Sequence, residues 1–195
     1  MEKILPLLQH ILSLRPPQDP FLGEGILVLT DIISSPYPGA SVIPQECRVT
    51  FDRRLLVGET EESILAPLQQ IIRDQQQQDS QLQAEVSLAE GVLTRPDGTR
   101  ERVKKFAPAW VIEEAHPLVQ AAKQGLATLG LPPVVSRYSF CTNGSYSAGV
   151  AGIPTIGFGP SCEGRAHTID EYVEREQLEM ACQGYQAIAK AFLLT

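Results

Sequence analysis

The 195-residue sequence has few cysteines and no long apolar run. Its four cysteines contain no Cys-x-x-Cys pair, so we expect free thiols rather than a zinc cluster or a disulfide framework. No apolar run approaches the roughly 20 residues that span a bilayer, which excludes a membrane-spanning helix. The sequence also lacks a basic and apolar leader, and we therefore predict a cytoplasmic protein without a membrane partner.

Basic residues are also scarce. Sixteen lysines and arginines face 23 acidic residues, which gives a formal net charge of −7. A nucleic-acid surface needs clustered positive charge, so we do not expect nucleic acid as a partner. The hydrophobic content of 43% is ordinary for a folded protein, and a chain of this length buries a sizeable core without staples.

The first part of the chain, residues 1–107, predicts an antiparallel sheet with two helices. Alternating apolar and polar residues indicate half-buried strands, and apolar residues at helical spacing indicate the helices. Thr60 precedes two glutamates and is predicted to cap the second helix. The predicted elements are a helix within Met1–Leu14, strands at Gly25–Ile33, Glu46–Leu55 and Gln83–Leu88, and a helix from Glu61 to the glutamine tract Gln75–Gln78.

The second part, residues 108–195, alternates helices with short apolar segments. Such alternation is typical of parallel α/β structure. The predicted helices are Glu113–Leu129 and Glu174–Leu194, and the predicted strands are Pro132–Arg137 and Ile153–Phe158. Thr142–Val150 is predicted as a loop that leads into a helix.

Only three histidines are present, and they differ in context. His10 lies on an amphipathic helix, where a solvated or packing role is expected, and His116 precedes Pro117, where a capping role is expected. His167 follows a glycine-rich loop after a predicted buried strand, at the sheet end where α/β proteins bind ligands. Acidic and basic neighbours surround it, so a metal ligand, an acid/base and a polar loop anchor all remain open.

Two other catalytic patterns are weak. Ser145–Gly149 (SYSAG) lacks the first glycine of a nucleophile elbow, and no acid and histidine follow it at a convincing spacing. The pairs Gly23/Gly25 and Gly157/Gly159 lack the third glycine of a dinucleotide-binding loop. We therefore do not predict a serine hydrolase or a nucleotide-binding protein.

Two blocks of sequence together resemble a known family. The first runs from Ser41-Val42-Ile43-Pro44 through Asp52-Arg53-Arg54 to Gly58-Glu59-Thr60. The second combines Asn143-Gly144, the segment Ala151–Pro160 (AGIPTIGFGP) and Ala166-His167 followed by Asp170-Glu171-Tyr172. In content, order and spacing the blocks are similar to those of the acetylornithine deacetylase, succinyl-diaminopimelate desuccinylase, carboxypeptidase G and aminoacylase family of di-zinc hydrolases, metallopeptidase family twenty. Among the branches of this family, the sequence most resembles the one described as selenium-metabolism hydrolases.

The resemblance implies roles for individual residues. His167 is similar to the last zinc ligand of the family, and Arg54 resembles the arginine that pairs with the substrate carboxylate. Thr142, Asn143 and Gly144 match the loop that lines the substrate cleft, with asparagine in place of the more common aspartate. Ser41 stands where members have an asparagine, which puts that substrate contact in doubt.

Most of the family's metal ligands have no counterpart here. The sequence contains no His-x-Asp motif, and Glu113-Glu114 imitates a ligand pair but falls at the start of a helix. The resemblance therefore implies a carboxyl-terminal part of such an enzyme. Residues 1–107 would be a lid or dimerisation domain without its first strand, and residues 108–195 the carboxyl-terminal portion of the zinc-peptidase-like α/β catalytic domain.

The implied activity is zinc-dependent hydrolysis of the amide bond in N-acyl amino acids or short peptides. With one of the ligands of a two-zinc site and no catalytic residue of its own, this chain alone is expected to be inactive. Expected partners are a small carboxylate-bearing substrate and either a second copy, bound through the lid, or an amino-terminal half-enzyme. Two alternatives remain: a non-catalytic dimerisation or interaction module, and an inactive truncated reading frame.

Overall fold

A computed structural model describes residues 2–39 and 41–194. The chain forms two compact units, Met1–Ala109 and Trp110–Thr195. In the described ranges, no helix combines the length and the apolar character needed to cross a membrane. Each unit has its own secondary structure and is described separately below.

Helix α1 (Ile4–Ser13) opens the first unit. It begins after Lys3 rather than at Met1, which lies outside the described residues, and Pro6 falls in its first turn, where its missing N–H costs no hydrogen bond. Leu7, Leu8 and Ile11 are buried at helical spacing, and the helix contacts both the second helix and the main sheet of the unit. The predicted amphipathic helix is confirmed.

Helix α2 (Glu61–Gln78) starts at the predicted cap. The Thr60 hydroxyl accepts a hydrogen bond from the main-chain N–H of Ser63, and the Ser63 hydroxyl accepts one from the N–H of Thr60. This reciprocal arrangement satisfies two N–H groups that a helix start leaves unpaired. The helix ends at the glutamine tract, where Gln75 is buried.

Two antiparallel ladders follow α1. The short strands β1 (Gln18–Asp19) and β2 (Gly23–Glu24) pair with each other, and the main ladder joins strand β3 (Ile26–Ser35) to strand β4 (Glu46–Arg54). Its register pairs Ile26 with Arg54, and a bulge lies between Leu29 and Asp31. Burial alternates along the first part of β4, as the sequence predicts, with Cys47, Val49 and Phe51 half-buried on one face.

The third predicted strand is wrong. Residues 83–88 form no strand, and the next ladder is a hairpin of β5 (Glu90–Thr94) and β6 (Arg100–Lys104). The turn Arg95–Gly98 connects them, with Gly98 at a φ of +84°. Alternation of apolar residues indicates a half-buried surface, but it does not identify the strand that would supply the hydrogen bonds. Residues 83–88 pair with no strand in the ladders of the described residues. Over the described residues the sheets are three separate two-stranded ladders.

Two long helices dominate the second unit. Helix α3 (Pro117–Ala127) begins at His116, whose Nδ1 accepts a hydrogen bond from the N–H of Leu118, so the predicted capping role is confirmed. Helix α5 (Arg175–Leu193) packs against α3. Between them lie the short helix α4 (Gly144–Ser147) and a 3-10 turn at Glu163–Arg165.

The predicted parallel sheet of this unit is also wrong for the residues the structure describes. Segments 132–137 and 153–158 form no strand, and Ile153 is 57% exposed rather than buried. A strand exists only when a neighbour completes its ladder. Within the described part of the unit no segment pairs with either of them, so the strands predicted from their apolar sequence do not form.

Candidate functional site

Arg54 is the last residue of β4, and its side chain lies beside that of Asp52. The Asp52 Oδ2 atom accepts a hydrogen bond from Arg54 Nε at 3.1 Å, and Arg54 Nη2 lies 2.9 Å from the same oxygen in an ion pair. Because residues two apart on a strand share a face, this pair lies on the face of β4 opposite the half-buried Phe51. The Arg54 side chain is 36% exposed, so its charge is accessible to a ligand.

The neighbouring Arg53 points to the other face, where it is largely buried. Its side chain is 17% exposed and forms an ion pair with Glu59, which is 15% exposed. Arg53 Nη1 also donates to the carbonyl oxygens of Ile26 and Arg54, and Glu59 Oε2 accepts from the N–H of Leu56 at 2.7 Å. These contacts join the end of β4 to the turn that leads into α2.

Ser41 lies in the connection between β3 and β4 and is exposed. It belongs to the same unit as Arg54.

The second unit contains an open cleft with a volume of about 1260 Å³. Its walls combine aromatic rings, a glycine-rich segment and a few charged side chains, a mixture typical of small-molecule sites. The lining includes Trp110, Tyr138, Phe140, Thr142–Gly144, Thr155–Glu163, Arg165, Ala166, Glu171–Val173, Tyr185 and Ile188.

The predicted substrate loop Thr142–Gly144 forms part of this lining. The Thr142 hydroxyl accepts a hydrogen bond from the N–H of Gly144 at 3.2 Å, and the Asn143 side chain is exposed at the start of α4. Gly144 is buried against Trp110: a Cβ on Gly144 would lie 2.5 Å from the indole ring. Only glycine allows the loop to approach the indole this closely, so the contact between loop and ring depends on the missing side chain at Gly144.

A second glycine and aromatic pair fixes the opposite stretch of lining. A Cβ on Gly157 would lie 2.3 Å from the ring of Tyr138, which itself stacks on Phe140 with centroids 5.0 Å apart. Burial raises the pKa of the Tyr138 hydroxyl, and the neighbouring Tyr185 and Glu163 add to the rise. Tyr138 is therefore a neutral hydrogen-bonding group at physiological pH.

Glu163 connects two segments of the lining. Its Oε1 accepts from the N–H of Ser139 at 2.8 Å, and its Oε2 accepts from the Ser139 hydroxyl at 3.4 Å. The carboxylate therefore links the segment before α4 to the 3-10 turn, beside Tyr138.

His167 lies on the loop next to the cleft and is exposed. Its φ is +59°, an uncommon conformation for a residue with a Cβ, and its N–H donates to Glu171 Oε2 at 3.0 Å. The neighbours Ala166 and Glu171 line the cleft, whereas His167 is not among the lining residues. The loop thus holds the imidazole at the edge of the cleft, facing solvent.

Arg165 anchors that loop to helix α5. Its guanidinium donates to Glu174 Oε1, and its central carbon lies 4.6 Å from the ring centroid of Tyr172. The hydrogen bond from Arg165 holds the pKa of the Glu174 carboxyl below its ordinary value and raises the pKa of Arg165. Both side chains therefore remain charged around neutral pH.

The donor set does not form a complete metal site. Within residues 2–39 and 41–194 no three histidine, cysteine, aspartate or glutamate side chains are grouped so that they could hold an ion. Glu113 and Glu114 precede α3, where Glu114 pairs with Lys123 at 2.5 Å, so this pair is part of a helix start, as expected from the sequence. A structural or catalytic zinc site needs three or four protein ligands, and these residues alone do not fit one.

Thr142, Asn143 and Gly144 therefore meet at one cleft, and His167 lies beside it; Arg54 belongs to the other unit. Neither Trp110 nor Tyr138 was predicted as a site residue, although both line the cleft, whereas Tyr172 belongs to the second of the two family-like blocks. The sequence gives little indication of these contacts, because Trp110 and Tyr138 each pack on a glycine that is far away along the chain. No spacing rule connects Trp110 with Gly144.

Comparison with known proteins gives consistent similarities. The model of peptidase family M20/M25/M40 matches residues 27–191. Two curated relatives, each called "Uncharacterized protein YgeY", come from Escherichia coli strain K12 and Escherichia coli O157:H7. Each is 35% identical over 187 residues, which cover 94% of this chain and 44% of the relative. The chain thus spans less than half the length of the curated relatives that it matches.

Proposed function

Because the chain belongs to peptidase family M20/M25/M40, a hydrolase family that is typically metal-dependent, we propose that it forms part of an enzyme that hydrolyses the amide bond of N-acyl amino acids or short peptides. The observation that carries this proposal is the family match over residues 27–191, which includes both Arg54 and the cleft residues Thr142–Gly144. The similarity to selenium-metabolism hydrolases and the cytoplasmic location stay predictions.

Arg54 is the proposed binding group for the substrate carboxylate. Its guanidinium is accessible at the end of a strand, and the Arg53–Glu59 contacts restrict the backbone from which it projects. A planar guanidinium forms two parallel hydrogen bonds to a carboxylate, which gives orientation as well as affinity. This role gives the first unit a part in substrate binding.

The cleft of the second unit is the proposed position of the acyl group and the scissile amide. Thr142–Gly144 supply polar groups at its wall, and the rings of Trp110 and Tyr138 supply an apolar surface that suits an acyl chain. His167 is the proposed metal ligand from this chain. The described residues do not complete the ligand set, so we propose that further ligands come from a polypeptide segment that these 195 residues do not contain.

A second candidate function rests on the surface of β3. Three large apolar side chains of this strand are about half exposed, namely Val28, Ile32 and Ile33, and β3 pairs with β4 alone in the described ladders. An apolar strand with an open edge is a common site for association with another chain. The chain could therefore act as a homodimerisation or interaction module without catalysis.

The proposed function is tested with a hybrid protein, in which this chain replaces the 187 matched residues of the Escherichia coli K12 relative. We expect the isolated chain with added zinc to show no turnover of N-acetyl amino acids. The hybrid protein and the relative should both hydrolyse them, and His167→Ala in the hybrid should abolish turnover without changing its melting temperature.

Two results would contradict this account. If the isolated chain shows zinc-dependent turnover that His167→Ala abolishes, the described residues hold a complete site. If the relative and a folded hybrid protein both fail to hydrolyse a broad panel of N-acyl amino acids and dipeptides, the amide-hydrolase proposal is wrong. A dimer without turnover, measured by ultracentrifugation, would support the interaction module instead.

A further inference from the structure

The contact between Asp52 and Arg54 uses one particular edge of the guanidinium. The single acceptor Oδ2 lies within hydrogen-bond distance of both Nε and Nη2, at 3.1 Å and 2.9 Å. These two nitrogens form the side edge of the guanidinium. At the end edge, formed by Nη1 and Nη2, Nη2 shares its contact with Asp52, whereas Nη1 has no acceptor among the described residues.

The end edge presents two parallel N–H groups, which match the two oxygens of a carboxylate. An arginine on an exposed strand otherwise samples many rotamers, and ordering such a side chain on binding costs affinity. Holding the side edge removes much of that cost before a ligand arrives. The position of Asp52 therefore favours one binding mode without blocking it.

The backbone below this pair is also fixed. Arg53 Nη1 donates to the carbonyl oxygen of Arg54 and to that of Ile26, which is the β3 partner of Arg54 in the ladder. The ion pair of Arg53 with Glu59 lies on the opposite face and is largely buried. Strand ends usually fray, and these contacts hold the point from which the Arg54 side chain starts.

We propose that Asp52 is a positioning residue that holds Arg54 by its Nε and Nη2 edge and presents the Nη1 and Nη2 edge to the carboxylate of the substrate. This inference rests on the proposed function, since it assumes that Arg54 binds the carboxylate. The inference goes beyond the proposed function because it assigns Asp52, the acid of the Asp52-Arg53-Arg54 segment, a role in substrate recognition. Asp52 itself does not touch the substrate.

Removing Asp52 has two opposite effects, which the experiment must separate. The loss of orientation weakens carboxylate binding, whereas the loss of a negative charge near the ligand strengthens it. The charge effect is screened at high salt, because the Debye length falls to about 3 Å at 1 M ionic strength. The orientation effect remains at high salt, so measurements at 1 M NaCl isolate it.

The chain offers a matched control on the same strand. Glu46 and Arg48 are also an acid and an arginine two residues apart on the same face as Asp52 and Arg54, and Arg48 Nη2 lies 2.9 Å from Glu46 Oε1. Glu46→Gln removes an equal charge from an equivalent pair at the other end of β4. A general charge or stability effect would therefore appear in both variants.

The test is an NMR titration of the 195-residue chain with N-acetylalanine and with its neutral amide at 1 M NaCl, for wild type, Asp52→Asn, Glu46→Gln and Arg54→Ala. For Asp52→Asn we expect an unchanged melting temperature, faster exchange of the Arg54 Nε–H with water, and a Kd for N-acetylalanine raised about 2- to 10-fold. Binding of the neutral amide should not change, and Asp52→Glu should restore most of the affinity.

Each other outcome overturns the inference. If Arg54→Ala weakens carboxylate binding but Asp52→Asn does not, Asp52 is no positioning residue although the carboxylate role of Arg54 survives. If Glu46→Gln weakens binding as much as Asp52→Asn, the effect is one of general charge. If wild type does not bind N-acetylalanine, or Arg54→Ala binds it equally well, the proposed role of Arg54 fails, and this inference fails with it.

Discussion

Gly125 on α3 meets the main chain of Ala187 on α5 so closely that a Cβ on Gly125 would lie 2.6 Å from the Ala187 carbonyl oxygen. The same position would be 2.9 Å from the N–H nitrogen of Ile188. The two long helices of the second unit thus approach through backbone atoms, which cannot rotate away as a side chain can. Their packing distance depends on the absence of one methyl group.

Gly125→Ala is therefore expected to lower the free energy of unfolding by about 1–3 kcal/mol, the usual cost of overpacking. Alanine favours a helix over glycine by about 1 kcal/mol, and the clash with backbone atoms should exceed this gain. Urea denaturation of the isolated chain measures the change. Gly164→Ala, whose Cβ would meet no atom within 4 Å, should stay within about 0.5 kcal/mol of wild type. Equal stability of both variants would contradict the helix contact.

The cleft lining offers a similar comparison between two glycines of one segment. Gly157→Ala would drive a methyl group into the Tyr138 ring, whereas a Cβ on Gly159 would lie 3.7 Å from the Tyr185 hydroxyl, an ordinary contact. We expect Gly157→Ala to lower the free energy of unfolding by about 1–3 kcal/mol and to shift the tyrosine fluorescence, and Gly159→Ala to do neither. The reverse order would show that Tyr138 does not pack on Gly157.

Phe51 and Arg54 should separate stability from recognition on one strand. Phe51 is half-buried rather than fully buried, so Phe51→Ala is expected to cost about 1–3 kcal/mol, less than a core phenylalanine. Arg54→Ala removes an exposed ion pair and should cost under about 1 kcal/mol. Thermal melts of both variants check this. A larger loss for Arg54→Ala would assign Arg54 a structural role.

The ion pair of Arg165 and Glu174 should make stability depend on pH in the acid range. Because the folded pKa of Glu174 lies below its ordinary value of 4.5, the unfolded chain binds the proton more readily. The contribution of the pair is thus fully present above that ordinary value and is lost as the pH falls through the folded pKa. We expect Glu174→Gln to be less stable than wild type at pH 7 and equally stable at strongly acidic pH. Urea melts across this range test it, with Glu179→Gln on the same helix as the charge control.

Local signals in the sequence predict much of the fold. A capping threonine before two glutamates marks the start of α2, a histidine before a proline marks the start of α3, and strict alternation marks β4. Each signal acts within a few residues of itself, so no distant partner is needed. Helices α1, α2, α3 and α5 and the β3–β4 ladder appear close to the expected positions, whereas α4 lies in a segment predicted as a loop.

Pairing between distant segments is harder to predict. Residues 83–88, 132–137 and 153–158 have the apolar character of strands, yet none is in a ladder of the described residues. Apolarity reports a tendency to be buried, while a strand also needs a neighbour with matching hydrogen bonds. The sequence contains no local information about that neighbour.

The candidate site shows the same division. Alternation along β4 puts Arg54 on the face of Asp52, and the glycine-rich motif correctly indicates a loop beside a cleft. The aromatic walls could not be predicted, because Trp110 reaches Gly144 and Tyr138 reaches Gly157 only in the folded unit. The metal ligands proposed beyond His167 have no counterpart among the described residues, and the zinc prediction therefore remains a proposal.

The most direct test of the central claim, that Arg54 binds the substrate carboxylate, compares Arg54→Ala with Arg48→Ala in the hybrid protein. Both variants remove an arginine from the same face of β4. The measurement is kcat/KM for an N-acetyl amino acid and for its neutral amide. Loss of a charge-assisted bidentate contact should lower the value for the carboxylate substrate by about 10- to 100-fold in Arg54→Ala, with little change for the amide or in Arg48→Ala. Equal slowing of both substrates, or an equal loss in Arg48→Ala, would contradict the claim.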